Sequence, residues 1–315
     1  MGNNMKASPM SRREFLQTAT VAGVAVAAST VSSAADGVQW PVACFNRPWM
    51  QAFNTKRQPL SQPQPANWGM DVALRGIKEA GYDVVGLLTR MPDEPVIGPE
   101  ATEPYLNELK GRIATAKLAA TMGALRLDEQ APLEDSISNG RRQIDHARAL
   151  GLEWLLTFGV NNKAHYDTFY KTMADLADYS EERKIKLVMK PHGGASGASD
   201  EILRCIEKVN RPNFNIWYDA GNIIYYTGKD PIEELKPIVR HVTGFCAKDC
   251  HGPKEDVMIQ FGTGSVDFRG VFNELKKAGF HGPIFVEGCA GKSYEEITAG
   301  ARANRVFLQT LLGSL

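Results

Sequence analysis

The chain has 315 residues, 43% of them hydrophobic and 23% charged, with 29 glycines and 17 prolines. That is enough apolar material for one large folded domain, and it excludes a disordered or fibrous protein. Lysine plus arginine equals aspartate plus glutamate at 36 each, so no basic excess points to nucleic acid; five cysteines, an odd number and without paired CxxC spacing, make neither a disulfide scaffold nor a structural zinc site.

At the N-terminus, Ser11-Arg-Arg-Glu-Phe-Leu-Gln17 precedes a mildly apolar run, Thr18 to Val31, and small residues at Ser33-Ala-Ala35. This resembles a twin-arginine signal peptide. The run is too short and weakly apolar to span a bilayer comfortably. The expectation is that residues 1–35 direct export to the periplasm and are cleaved, with no stable membrane insertion, and that residues 36–315 form one domain.

The mature chain alternates short apolar runs with amphipathic stretches. A first strand, Val42 to Phe45, ends at Asn46-Arg47, and residues 47–68, rich in Pro, Gln and Asn, read as a loop. A helix from Asp71 to Ala80, closed by Gly81, leads to a strand over Tyr82–Leu88. After a proline-rich loop, 90–101, comes a helix over Tyr105–Leu118 and a strand over Ala120–Leu125. The pattern repeats with a helix at Ser136–Leu150, capped by Gly151, and a strand at Trp154–Phe158. Next are a helix at Tyr166–Arg183 and a strand at Ile185–Met189, then a helix at Asp200–Val209 and a strand at Asn215–Tyr218. Helices at Pro231–Arg240, Phe268–Ala278 and Tyr294–Leu312 enclose strands at Val242–Ala247 and Pro283–Val286.

About eight strand–helix units with buried-type strands predict either a doubly wound sheet or a (β/α)₈ TIM barrel of the α/β class. No GxGxxG turn follows the first strand and no Walker A sequence is present, so the barrel is preferred. Polar residues gather where strands end: Lys190 and His192, Asp219 and Asn222, Lys248 and Asp249, and Glu287. Barrels of this kind place their chemistry at that rim. Carboxylates, a histidine and lysines around one rim can hold a divalent cation and move protons.

The same residues carry a resemblance. Asn215-Ile-Trp-Tyr-Asp-Ala-Gly-Asn222, Phe245-Cys-Ala-Lys-Asp249, Phe261-Gly-Thr-Gly-Ser-Val-Asp-Phe268 and Gly282-Pro-Ile-Phe-Val-Glu287 together are similar to motifs of the sugar phosphate isomerase/epimerase family, the xylose-isomerase-like TIM barrels. The resemblance implies a divalent cation (Mn, Mg, Zn or Co) held by Glu, Asp, His and Glu at four strand ends. Asp219 and Glu287 match that set; Lys190 stands at the first Glu position and Cys246 at the His position. His192 and Asp256 are candidate substitute ligands beside Asp219 and Glu287. Alternatively, the Lys190 ammonium takes the place of the cation.

The implied function is a sugar isomerase or epimerase that removes a proton next to the carbonyl of a sugar or keto-sugar. Glu287 would serve as base, with Lys190 and Lys248 polarising the carbonyl or stabilising the enediolate. The alternatives are a lyase or hydratase of 3-keto-glycosides and a non-catalytic sugar-binding barrel. A DNA-repair endonuclease of the same superfamily ranks low, for want of strand-end histidines and a basic groove. The expected partner is a small sugar, and a homo-oligomer is possible. Simpler roles also fit: Lys190 as a structural ion pair with Asp219 or Glu287, His192 as a loop histidine, Asp219 as a cap, and Lys248 with Asp249 as a neighbouring pair. Trp49, Phe158 and Trp217 are candidates to stack on a sugar face.

Overall fold

The computed structural model describes residues 38–51 and 69–315. The eight strands are β1 (Val42–Phe45), β2 (Val84–Leu87), β3 (Ala119–Ala124), β4 (Trp154–Phe158), β5 (Lys186–Lys190), β6 (Phe214–Tyr218), β7 (Val242–Ala247) and β8 (Ile284–Val286). They pair in parallel and in sequence order, and β8 returns to β1 through Val42↔Ile284 and Ala43↔Phe285. This is the closed (β/α)₈ barrel that the alternation predicts. Closure removes both sheet edges, so strands this short still pair on each side. The signal-peptide reading of residues 1–35 lies outside the described residues. No described helix is long and apolar enough to cross a membrane.

Strand pleating sorts side chains into two cores. Leu155, Leu187, Met189, Ile216, Phe245, Ile284 and Val286 face the surrounding helices. Phe45, Met122, Leu156, Val188, Trp217, Cys246 and Phe285 fill the barrel interior. Large rings inside a small barrel need empty space opposite them, and glycines in neighbouring strands supply it. A Cβ at Gly244 would stand 2.1 Å from the Trp217 ring, and one at Gly86 would stand 2.3 Å from Phe45. Trp217 and Phe285 pack ring against ring with centroids 5.2 Å apart and planes tilted by 44°.

Three segments differ from the sequence expectation. Arg47–Gln51, expected as loop, is a one-turn helix directly after β1. A helix at Ala220–Thr227 was not expected at all, because Ile-Ile-Tyr-Tyr reads as strand. Its ends override that propensity: the Asp219 carboxylate accepts from the Asn222 backbone N–H at 2.8 Å, and Gly228 closes the helix at φ 68°. The expected helix Pro231–Arg240 stops at Leu235 and gives way to a short 3₁₀ turn at Val239–His241, with Pro237 just after the break.

Candidate active site

Pleating also builds the site. Two residues beyond the interior side chains Val188, Trp217, Cys246 and Phe285 stand Lys190, Asp219, Lys248 and Glu287. Strand periodicity therefore makes them the next layer up, at the C-terminal mouth. All four are buried, none more than 3% exposed. They form a closed ionic cluster. The Lys190 ammonium donates to Glu287 Oε2 and lies 3.2 Å from Asp219 Oδ2. Lys248 Nζ donates to Glu287 Oε1 at 2.9 Å and lies 3.3 Å from the same Asp219 oxygen. From the helix after β1, Arg47 Nη1 adds a third contact to the Glu287 carboxylate, at 2.5 Å from Oε1.

The cluster divides its charges unequally. Burial works against the charged form of Glu287, but Lys190, Lys248 and Arg47 outweigh it and hold the carboxyl well below the usual range. On Lys190, burial likewise opposes charge, yet Glu287 and Asp219 prevail and raise its pKa above that of an ordinary lysine. Lys248 is the exception: burial pushes its ammonium below the ordinary value, and Asp219 and Glu287 only partly restore it.

Above the cluster opens a cavity of about 650 Å³. Of the three aromatics named from the sequence, Phe158 forms part of its wall. Trp49 and Trp217 do not. Trp49 is buried against helix Met70–Glu79 and donates to Thr298 Oγ1 at 3.2 Å, and Trp217 belongs to the barrel core. His192 reaches the cavity and shares a hydrogen bond with the Tyr226 hydroxyl, 2.9 Å from Nε2. Burial, reinforced by Lys190 and Lys248, pushes the His192 pKa from 6.5 down to about 3, so the imidazole is neutral at physiological pH. Tyr225 and Tyr226 line the cavity because the Ala220–Thr227 helix carries them there. Asn222 on that helix donates to Pro191 O at 2.6 Å and fixes the end of β5.

Asp249 does not pair with Lys248. Its two oxygens accept from four backbone N–H groups, those of Cys250, Gly262, Gly264 and Val266, at 2.8–3.1 Å. It thus ties down the Gly-Thr-Gly loop beside the mouth. A Cβ at Gly264 would stand 2.3 Å from the Asp249 carboxylate, which accounts for the second glycine of that sequence.

The candidate metal ligands do not assemble. Among the described residues, no three His, Cys, Asp or Glu side chains form a group able to hold an ion. Two ammonium groups bridge Asp219 and Glu287. His192 turns to Tyr226, Asp256 lies exposed on the loop after β7, where it accepts from Met258 N, and Cys246 is buried one layer below the cluster. A divalent cation there would face two lysines across two carboxylates already neutralised, so the residues present do not fit it.

Sequence reading missed Arg47, Arg90 and Arg126 as cavity residues. Each follows the end of one of the first three strands, so the strand-end rule that found Lys190 would have found them too.

Barrel and ionic mouth define an enzyme-like (β/α)₈ scaffold with its polar cluster at the customary end. The sequence model described as xylose isomerase-like TIM barrel matches residues 74–311, and the chain belongs to that family. The chain is 23% identical over 231 residues to L-ribulose-5-phosphate 3-epimerase UlaE of Salmonella heidelberg, covering 67% of this chain and 78% of that one. It is also 23% identical over 145 residues to inosose dehydratase of Clostridium perfringens, spanning 41% of this chain and about half (48%) of the dehydratase. A xylose isomerase-like TIM barrel protein from Mycobacterium smegmatis, in complex with magnesium, superposes with a TM-score of 0.67 at 18% identity, over 88% of this chain and 97% of that one. Relatives of this kind make an enzyme the expected class.

Proposed function

We propose that this protein is a sugar isomerase- or epimerase-type enzyme in which lysines carry the electrophile and base roles. The observation behind this reading is the Lys190–Glu287–Lys248–Asp219 cluster at the floor of a sugar-sized cavity. Lys190, kept charged by its two carboxylates, is a fixed ammonium beside which a carbonyl oxygen can take on negative charge. Lys248, whose ammonium is destabilised by burial, has the larger neutral fraction and acts as the base that takes the proton from the adjacent carbon. Glu287, expected from the sequence to be the base, is a weaker one here because three cations hold its charge. Its task in this reading is to position the lysines.

Return of the proton from Lys248 to the neighbouring carbon, with the enediol hydroxyl proton passing to the former carbonyl oxygen, gives isomerisation. Delivery to the opposite face gives epimerisation and needs a second donor, for which Tyr226, hydrogen-bonded to His192, is the candidate. Loss of a β-hydroxyl from the same enediolate, protonated by the Lys248 ammonium that took the α-proton and leaving as water, gives dehydration; the similarity to inosose dehydratase favours this as the second reading.

Proton NMR of the protein with ketoses in deuterium oxide tests the proposal. Deuterium should enter the carbon next to the carbonyl, and Lys248→Met should abolish the exchange. A folded wild-type protein that binds sugars and exchanges none of them is a sugar-binding barrel, not an enzyme. We also propose, from Ser11-Arg-Arg-Glu-Phe-Leu-Gln17, that residues 1–35 direct twin-arginine export. Changing Arg12→Lys together with Arg13→Lys should retain the protein in the cytoplasm, and unchanged export would refute this.

A further inference from the structure

Among the described residues, five cationic side chains, Arg47, Arg90, Arg126, Lys190 and Lys248, line the cavity against one carboxylate, Glu287. Arg47 and the lysines are engaged in the floor cluster with Glu287 and Asp219. Arg126 and Arg90 are not. Arg126 Nη2 donates to Leu88 O at 3.0 Å, and its guanidinium lies over the Phe158 ring, 4.9 Å from the centroid. Those contacts hold the plane of the fork in place and, among the described residues, leave most of its five N–H donors unused. Among the described residues no carboxylate stands within ion-pair distance of it. Asp128, close by in the adjoining cavity of about 230 Å³, accepts instead from Gln130 N at 2.9 Å. Among the described residues Arg90 pairs with Glu100, at 3.7 Å with both side chains partly exposed, an ion pair of little energetic weight. Both arginines line the two cavities together. Burial, and next the charge of Arg90, lower the Arg126 pKa, and Glu287 only partly offsets them.

A partly buried guanidinium fixed on an aromatic face, beside a second weakly engaged one, is a receptor for an oxyanion. We infer that the substrate is an acidic sugar, whose carboxylate or phosphate is taken by Arg126 and Arg90 while its carbonyl end meets Lys190 and Lys248. The inference rests on the reading of the cavity as a sugar site, but it concerns binding and needs no turnover.

Titration calorimetry with D-fructose, D-fructuronate and D-fructose 6-phosphate tests it, since the three share a ketose frame and differ in the charge at one end. An acidic member should bind at least about tenfold more tightly than D-fructose, because charge-assisted bidentate bonds are worth that much or more. Which acid wins separates carboxylate from phosphate. Arg126→Gln should reduce the preference to about twofold or less, while Arg126→Lys, which keeps the charge without the fork, should fall between; thermal melts establish that both variants fold. Equal affinity for charged and neutral members, binding of neither acid, or a preference untouched by Arg126→Gln each overturns the inference. Exchange of neutral ketoses without acid preference would defeat it and leave the isomerase reading standing. Acid preference without any exchange would do the reverse.

Discussion

The Lys190 ammonium donates to the Glu287 carboxylate across the mouth of the barrel, and neither side chain reaches solvent to any extent. The contact joins β5 to the residue after β8, which are not neighbours in the sheet. It therefore closes the top of the interior as a cross-brace. Removing Lys190 leaves two buried carboxylates, Asp219 and Glu287, to share Lys248 and Arg47, one buried cation fewer. Lys190→Met should cost about 3–5 kcal/mol, read as a lowered urea midpoint. A loss under about 1 kcal/mol would mean that the pair behaves as if in water.

Lys248 should set the pH dependence of α-proton exchange. The neutral amine is the active form, so the rate should rise with pH through a pKa below that of an ordinary lysine. Glu287 raises the Lys248 pKa, so residual exchange in Glu287→Gln should have its limb moved to lower pH. A limb that does not move would separate the two residues functionally.

Chelation should leave exchange unchanged. The floor carboxylates already face two ammonium groups, so prolonged dialysis against EDTA removes nothing the lysines need. Loss of activity on dialysis, restored by Mn or Mg, would contradict the lysine-based scheme directly.

His192 should make the protein acid-sensitive. Its folded pKa, about 3, lies below its unfolded value of 6.5, so the unfolded chain takes up the proton first. The stability involved is fully present above about pH 6.5 and declines as pH falls toward 3, at up to about 1.4 kcal/mol per pH unit. Urea melts over this range should show a shallower decline for His192→Phe than for wild type. Parallel declines would indicate that the imidazole is hydrated in the folded state.

Asp249 should matter to the loop rather than to the floor. Asp249→Asn turns an acceptor-only carboxylate into an amide that must present an N–H₂ to backbone donors, so two of its four bonds are lost. Charged hydrogen bonds contribute about 1.5–3 kcal/mol each. Limited proteolysis should then cut within residues 250–266 well before the barrel unfolds. Resistance equal to wild type would show that the glycine loop holds itself.

Strand and helix positions were largely legible because burial on both sheet faces writes near-continuous apolar runs, and because Gly81, Gly151 and Gly279 mark helix ends. The helix at Ala220–Thr227 was not, since its capping residues outweigh the strand propensity of its middle. Candidate site residues Lys190, Asp219, Lys248 and Glu287 could be named from the sequence by their place two positions beyond apolar strand residues. His192 and Asp256 were named as ligands by the same logic of proximity along the chain, which does not fix where a loop side chain turns.

The sequence by itself determined the period of eight strand–helix units and the parity that points four charged side chains into the barrel, because both follow from local alternation. Only the tertiary structure decided what those four do to one another. Lys190 and Glu287 are 97 residues apart, and their meeting depends on closure of β8 against β1. That closure places two ammonium groups, rather than a histidine, between the carboxylates. It also brings Arg126 from the third strand end and Arg90 from the second to one wall. Charge balance within a buried cluster is a sum over all neighbours in space, and the order of residues along the chain does not contain it.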